Sequence, residues 1–115
     1  MKEIKAVIRP NKLAALRDAL ISLPGFPGMT VAKVEGCSAP TRHVTGRVRI
    51  KDELTEYTPK VRIEIVAPDE VAPAIFERIT EVAQTGHYGD GLVWMIDVER
   101  AAFVFKTTPG GENTP

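Results

Sequence analysis

The sequence predicts an α+β fold, a ferredoxin-like βαββαβ sandwich with a long loop between its second and third strands. Three observations carry this. Four segments alternate apolar and polar residues with period two, two segments repeat apolar residues at helical spacing, and the order is strand, helix, strand, strand, helix, strand. With 115 residues, the chain is long enough for one domain with a modest core.

Lys2 to Arg9 is the first strand, with Ile4, Ala6 and Ile8 on one face, Glu3, Lys5 and Arg9 on the other, and Val7 as the apolar exception. Pro10 ends it. Asn11 then caps a helix whose stripe is Leu13, Leu16, Leu20 and Ile21, with Arg17 and Asp18 left to solvent. The prolines and glycines of Leu23 to Gly28 form a turn. Met29 to Glu35 is the second strand. From Gly36 to Thr58 the periodicity dissolves, and a connection of that length inside a compact domain is a functional loop, in which Val44 to Ile50 can form a short hairpin arm. Lys60 to Ala67 is the third strand, with Val61, Ile63 and Ile65 inward and Lys60, Arg62 and Glu64 outward. Asp69 caps a second helix with the stripe Val71, Ile75, Phe76, Ile79 and Val82, where Pro73 falls in the first turn or just after it. Leu92 to Val98 is the fourth strand, and Ala101 to Phe105 is a short fifth. Residues 107–115 form a flexible tail beyond a domain at 1–106. With both helices on one face of the sheet, the other face is left for other subunits.

Composition narrows the function classes. Lysine plus arginine equal aspartate plus glutamate at 15 each, so no whole-molecule positive field draws the chain to nucleic acid or to an acidic membrane. One cysteine, Cys37, excludes an internal disulfide and a multi-cysteine zinc site, and two distant histidines show no metal spacing. No apolar run approaches a membrane span and no secretory leader is evident, which gives a cytoplasmic reading with no membrane insertion. RNA recognition on such a sheet needs aromatic residues on a central strand, and Lys60 to Ala67 has none. Ser38 lacks a histidine and carboxylate at readable spacing, and Cys37 near His43 is an unsupported dyad, so no catalytic residue is assigned.

The stretch with the most chemistry is Thr85-Gly86-His87-Tyr88-Gly89-Asp90-Gly91, where a helical pattern stops and three glycines follow within six residues. Glycine admits left-handed backbone and lets a ligand approach main-chain N–H groups, which suits an anion. An ordinary helix-to-strand turn uses the same residues.

In this order the motifs resemble the PII signal-transduction family. The matches are Ile8-Arg9-Pro10 with Lys12-Leu13, Gly28-Met29-Thr30-Val31, Val34-Glu35-Gly36, Pro59-Lys60-Val61, Ile63-Glu64-Ile65-Val66 with Pro68-Asp69, Thr85-Gly86 with Gly89-Asp90-Gly91, and Asp97-Val98. The resemblance implies a homotrimer that holds adenine nucleotides in clefts between subunits and docks on protein targets through a T-loop, here residues 37–58. It implies that Val7, Thr30, Glu64 and Val66 surround adenine and ribose, and that phosphates meet Gly89, Asp90 and Gly91 and the loop base at Gly36, Cys37 and Ser38. For Val7, Val66 and Glu64, ordinary core or strand-surface roles stand beside this one.

The departures reshape the expectation. Leu92 stands where the family has a lysine, and Phe103 and Phe105 where it has two arginines. Hydrogen bonds to charged groups contribute about 1.5–3 kcal/mol each, so the loss weakens triphosphate binding unless His87, Arg42, Arg47, Arg49 or Lys106 supplies the missing charge; singly, each also reads as solvated surface charge. Ser38-Ala39-Pro40 replaces the family's Gly-Arg-Gln, so 2-oxoglutarate sensing is not expected, and neither is uridylylation. The expected ligand is ADP or AMP, with ATP weaker and bicarbonate a further candidate; no cofactor is required and no metal site is assigned. The expected partner is a protein bound through the T-loop, with a membrane transporter as the class that divergent members suggest. The alternative is a ligand-free interaction module whose cleft Phe103 and Phe105 fill.

Overall fold

A computed structural model describes residues 1–37 and 57–105. Four strands, β1 (Lys2–Ile8), β2 (Thr30–Gly36), β3 (Thr58–Ala67) and β4 (Gly91–Asp97), form one antiparallel sheet in the order β2-β3-β1-β4. Helices α1 (Leu13–Ile21) and α2 (Ala72–Ala83) follow β1 and β3, so the βαββαβ order is the one expected. The strand registers, Ile4 opposite Ile65 and Met95, Ala6 opposite Ile63 and Val93, place one apolar set on one face. That face, with Leu16 and Leu20 of α1 and Ile75 and Ile79 of α2, is the core, and each of these four helical residues is at most 1% exposed. An Arg78 guanidinium nitrogen donates to the Ala19 carbonyl at 3.1 Å and ties α2 to α1.

Several local expectations are corrected. Asn11 caps nothing: Pro10–Lys12 form a 3-10 turn, and α1 starts at Leu13 without a side-chain cap. Ile21 is 56% exposed because it follows Leu20 around the helix, off the stripe that faces the sheet. Asp69 is no cap either. Val71 precedes α2, the Pro68 carbonyl receives the Val71 and Ala72 N–H groups at 3.0 Å, and Asp69 accepts from the Met1 amino group at 2.5 Å. Met29 lies before β2 and packs against the core, whereas β3 begins two residues early and includes Pro59. Proline is tolerated there because β1 pairs with β3 only from Val61 onward, which makes β3 a local edge at that row. The expected fifth strand does not form: residues 101–105 are irregular, and Phe103 turns into a cleft, with its ring centroid 5.5 Å from that of Phe105. The hairpin arm at Val44 to Ile50 and the tail at 107–115 lie outside the described residues.

Candidate ligand-binding site

Antiparallel order brings the end of β1, the end of β2 and the starts of β3 and β4 to one end of the sheet. The 85–91 loop closes over that end. Asp90 organises it from inside: its carboxylate accepts from the Thr85 backbone N–H at 2.5 Å, the Gly86 N–H at 3.0 Å, the Thr85 hydroxyl, and Arg9 Nε at 3.0 Å. The Thr85 hydroxyl and amide, then Arg9 and Gly86, hold this carboxyl well below the usual carboxylate range against a smaller opposing effect of burial. The Asp90 N–H in turn donates to the His87 carbonyl at 3.3 Å. Three main-chain N–H groups of the loop, those of Thr85, Gly86 and Asp90, are therefore spent within the loop rather than offered to an anion.

Two cations brace the loop from the sheet. Arg9 pairs with Asp90 and donates from Nη2 to the Tyr88 carbonyl at 3.0 Å, while the Lys60 ammonium donates to the Gly89 carbonyl. Lys60 stands on the sheet face away from the helices, as expected, yet it is only 8% exposed because the loop covers it. Burial pushes its amine below the ordinary lysine value, Arg9 adds to the effect, and Asp90 opposes it. The Lys60 stem runs past Gly36, where an added Cβ would lie 3.2 Å from Lys60 Cγ, and the Thr58 hydroxyl donates to the Gly36 carbonyl at 3.3 Å. Gly91 has φ +119°, and a Cβ there would stand 1.8 Å from the Val7 carbonyl oxygen, so only glycine lets β4 start this close to β1.

At the other end lies a cleft of about 650 Å³ lined by Glu3, Pro27, Gly28, Met29, Thr30, Glu64, Val66 and Phe103. Thr30 faces Glu64 across β2 and β3, and Glu3 faces Val66 across β1 and β3. Glu64 lies 3.9 Å from Lys5 Nζ and 3.5 Å from Arg62 Nε, so its charge is partly met within the sheet. Phe103 is one wall of this cleft and leaves it open, whereas Phe105 is 80% exposed and lines none of it.

The predicted residues thus fall into two groups. Thr30, Glu64 and Val66 meet in the cleft; Val7, Gly36, Gly89, Asp90 and Gly91 gather at the loop end, and exposed Cys37 follows directly after β2. Along β2, Gly36 lies roughly 20 Å from Thr30, whereas Val7, opposite Arg62, stands between the groups, and the Gly91 row, that of Val61, is three residues or roughly 10 Å of strand from the row of Glu64 and Thr30. His87 sits in the loop with Nδ1 3.1 Å from the Thr85 carbonyl oxygen. Ser38, Arg42, Arg47, Arg49 and Lys106 lie outside the described residues. Sequence reasoning passed over Arg9 and Lys60, although the predicted strand order alone places the end of the first strand and the start of the third beside the glycine turn. Among the described residues no cluster of His, Cys, Asp and Glu suits a metal ion, and no helix is long and apolar enough to cross a membrane.

An antiparallel sheet covered by two helices, with an aspartate-centred glycine turn braced at one end, defines this molecule as a ferredoxin-like α+β protein. Comparison with known proteins gives the family: residues 1–107 match the model for "Nitrogen regulatory protein P-II". The chain is 41% identical to the Nitrogen regulatory protein P-II of Haemophilus influenzae over 113 residues, 98% of this chain and 96% of that protein. The same identity holds over 113 residues with the protein of that name from Pasteurella multocida, and over 100 residues, 87% of this chain and 88% of the relative, with the Nitrogen regulatory protein P-II 1 of Escherichia coli. The chain belongs to the P-II family of regulatory signalling proteins.

Proposed function

We propose that this P-II protein is a homotrimer that senses an adenine nucleotide, ADP or AMP before ATP, in clefts between subunits and reports it to a protein partner through residues 37–58. The observation that carries the reading is the division of the site. Thr30, Glu64 and Val66 open a cleft on β2 and β3, whereas the Gly89–Gly91 turn leads into β4, two strands from Glu64 and three from Thr30 and three residues along the register, so that roughly 15 Å of sheet separates the two in one protomer. A neighbouring copy that lays its loop end against this cleft completes the site. The sheet face away from the helices offers the contact surface: Leu92 and Ile96 of β4 are 67% and 49% exposed, Val7 is partly exposed opposite Leu92, and Val34 is partly exposed on β2 at the other edge.

Charge supports the lighter nucleotides. The cleft carries the carboxylates of Glu3 and Glu64 and the ring of Phe103, and Leu92, the second residue of β4, stands where the family has lysine. Arg9 and Lys60, the cations that contact the glycine turn among the described residues, already serve loop carbonyls and Asp90. Bicarbonate remains a candidate small anion for the same turn. The role is regulatory rather than catalytic, and the partner is a protein, with a membrane transporter as the class to try first; the setting is the cytoplasm.

Sedimentation of the purified chain and calorimetry with ADP, AMP, ATP and bicarbonate test this. A trimer that releases heat with ADP or AMP and much less with ATP supports it; a monomer, or a trimer silent toward all four, overturns it. The Phe103→Arg variant sharpens the test, because restoring a cation at the cleft is expected to raise ATP affinity about tenfold. The second reading, a module that binds protein partners and no small ligand, is favoured by Phe103 on the cleft wall. It predicts silence toward all four ligands in both proteins.

A further inference from the structure

Lys60 is the one buried charged residue among those described, and its two ends touch different parts of the molecule. Its methylenes pack on Gly36, the last residue of β2, so closely that a Cβ there would sit 3.2 Å from Cγ and 3.8 Å from Cε. Its ammonium is held by the Gly89 carbonyl, with burial and the nearby Arg9 both disfavouring the charge and Asp90 supporting it. Asp90 is itself fixed by Thr85, Gly86 and Arg9. A continuous set of contacts thus runs from the loop, through one side chain, to the residue that precedes Cys37.

We infer that Lys60 is a positioning residue that couples the 85–91 loop to the end of β2, so that a change in the loop is felt at Gly36 and Cys37 through this side chain. The physical case is that of a rigid strut. A buried amine cannot exchange its carbonyl partner for water without first leaving the cover of the loop, so when Gly89 moves the ammonium either follows it or loses its acceptor. A stem pressed against a residue without a side chain passes that displacement to backbone rather than to a rotamer that could absorb it. The inference deepens the proposed function, since it names how an event at the glycine turn reaches the start of residues 37–58, and it rests on that reading for its biological meaning. Its mechanical content stands on the contacts alone.

The test uses Cys37, the one cysteine of the chain, as reporter. The rate of its reaction with 5,5′-dithiobis(2-nitrobenzoate) is measured without any ligand in the wild-type chain, Asp90→Ala, Lys60→Met and the double variant. Asp90→Ala is expected to change the rate about threefold or more in the wild-type background, and by a clearly smaller factor once Lys60 is methionine, because residues in one contact network are non-additive. Lys60→Arg, which keeps a donor on a long stem, is expected to preserve the response to Asp90→Ala. Circular dichroism and a urea titration establish that each variant folds; if Asp90→Ala does not, Thr85→Ala, which removes only the hydroxyl donor to Asp90, replaces it in the cycle. Equal factors in both backgrounds overturn the inference, and so does a Cys37 rate indifferent to the loop substitution. Calorimetry with ADP, AMP, ATP and bicarbonate on the wild-type chain is run beside the cycle: silence toward all four removes the sensing reading and leaves the cycle, which contains no nucleotide, to decide the coupling by itself.

Discussion

The two ends of the sheet are built on opposite principles. At the loop end Arg9, Lys60, Thr85 and Asp90 satisfy one another and the loop carbonyls, so that polar groups are fixed and partly withdrawn from water. At the cleft end Glu3, Thr30, Glu64 and Phe103 border about 650 Å³ of open space. One end is filled by its own side chains; the other is left open. The difference teaches that the aspartate of the Gly-Asp-Gly turn is a structural residue that sets the shape of the turn from inside.

The contrast breaks most sharply at Gly91. Gly91→Ala forces a Cβ to within 1.8 Å of the Val7 carbonyl oxygen at a left-handed backbone position, so β4 must shift away from β1. A loss of about 3 kcal/mol or more is expected, read as a fall in the urea midpoint. Next comes Arg9→Met, which keeps the stem and removes the donors to Asp90 and Tyr88. The Arg9 side chain is 34% exposed, so solvent already weakens its charge interactions and the expected loss is about 1–2 kcal/mol. If Arg9→Met proves neutral in urea while the loop keeps its form, the loop end is not organised by its charges and the comparison fails.

The fold was legible in the sequence because its signals are periodic. Ile4, Ala6 and Ile8 against Ile63 and Ile65, and Leu16 and Leu20 against Ile75 and Ile79, state both the faces and the layers. Ends of elements were less legible. Asp69 resembles a cap, but the amino group of Met1, 68 positions away in sequence, takes its carboxylate, and no local rule reveals such a partner. The candidate site was legible in part: family motifs drew attention to Thr30, Glu64 and Val66, which line one cleft, and to the glycine turn. The cations beneath the turn were hidden for a physical reason: Lys60 sits on an alternating strand at a position that reads as solvent-facing, and only the loop folded over it makes it buried. Phe103 and Phe105 read together as a strand, yet one lines the cleft and the other is exposed, since β4 ends at Asp97 and neither residue joins the sheet.

A smaller effect belongs to acid. Because Thr85, Arg9 and Gly86 stabilise the ionised Asp90, its folded-state carboxyl binds protons less readily than the unfolded one. The stability this provides is fully present above the unfolded value of about 4 and is lost progressively as pH falls below it toward the depressed folded value. Asn at position 90 cannot titrate, so Asp90→Asn is expected to be less stable than wild type at neutral pH and to lose less on going from pH 5 to pH 3, roughly, in parallel urea titrations. Some acid sensitivity persists in the variant, since Asp69 is likewise held low by the Met1 amino group. Parallel pH profiles for the two proteins would remove Asp90 from its organising role.

The smallest expected effect on stability lies at the open end. Phe103→Ala deletes a ring that forms a cleft wall rather than the core, and surface substitutions away from buried features fall within about 0.5 kcal/mol. The same substitution changes the surface that a ligand or a second copy meets, so its consequence is expected in calorimetry with ADP or in the sedimentation profile while the urea midpoint stays nearly fixed. A large fall in that midpoint, with association and ligand heat unaltered, would mean that the ring stabilises the protomer itself. The cleft end would then be finished in the same sense as the loop end, and the division of the site between neighbouring copies would lose its physical ground.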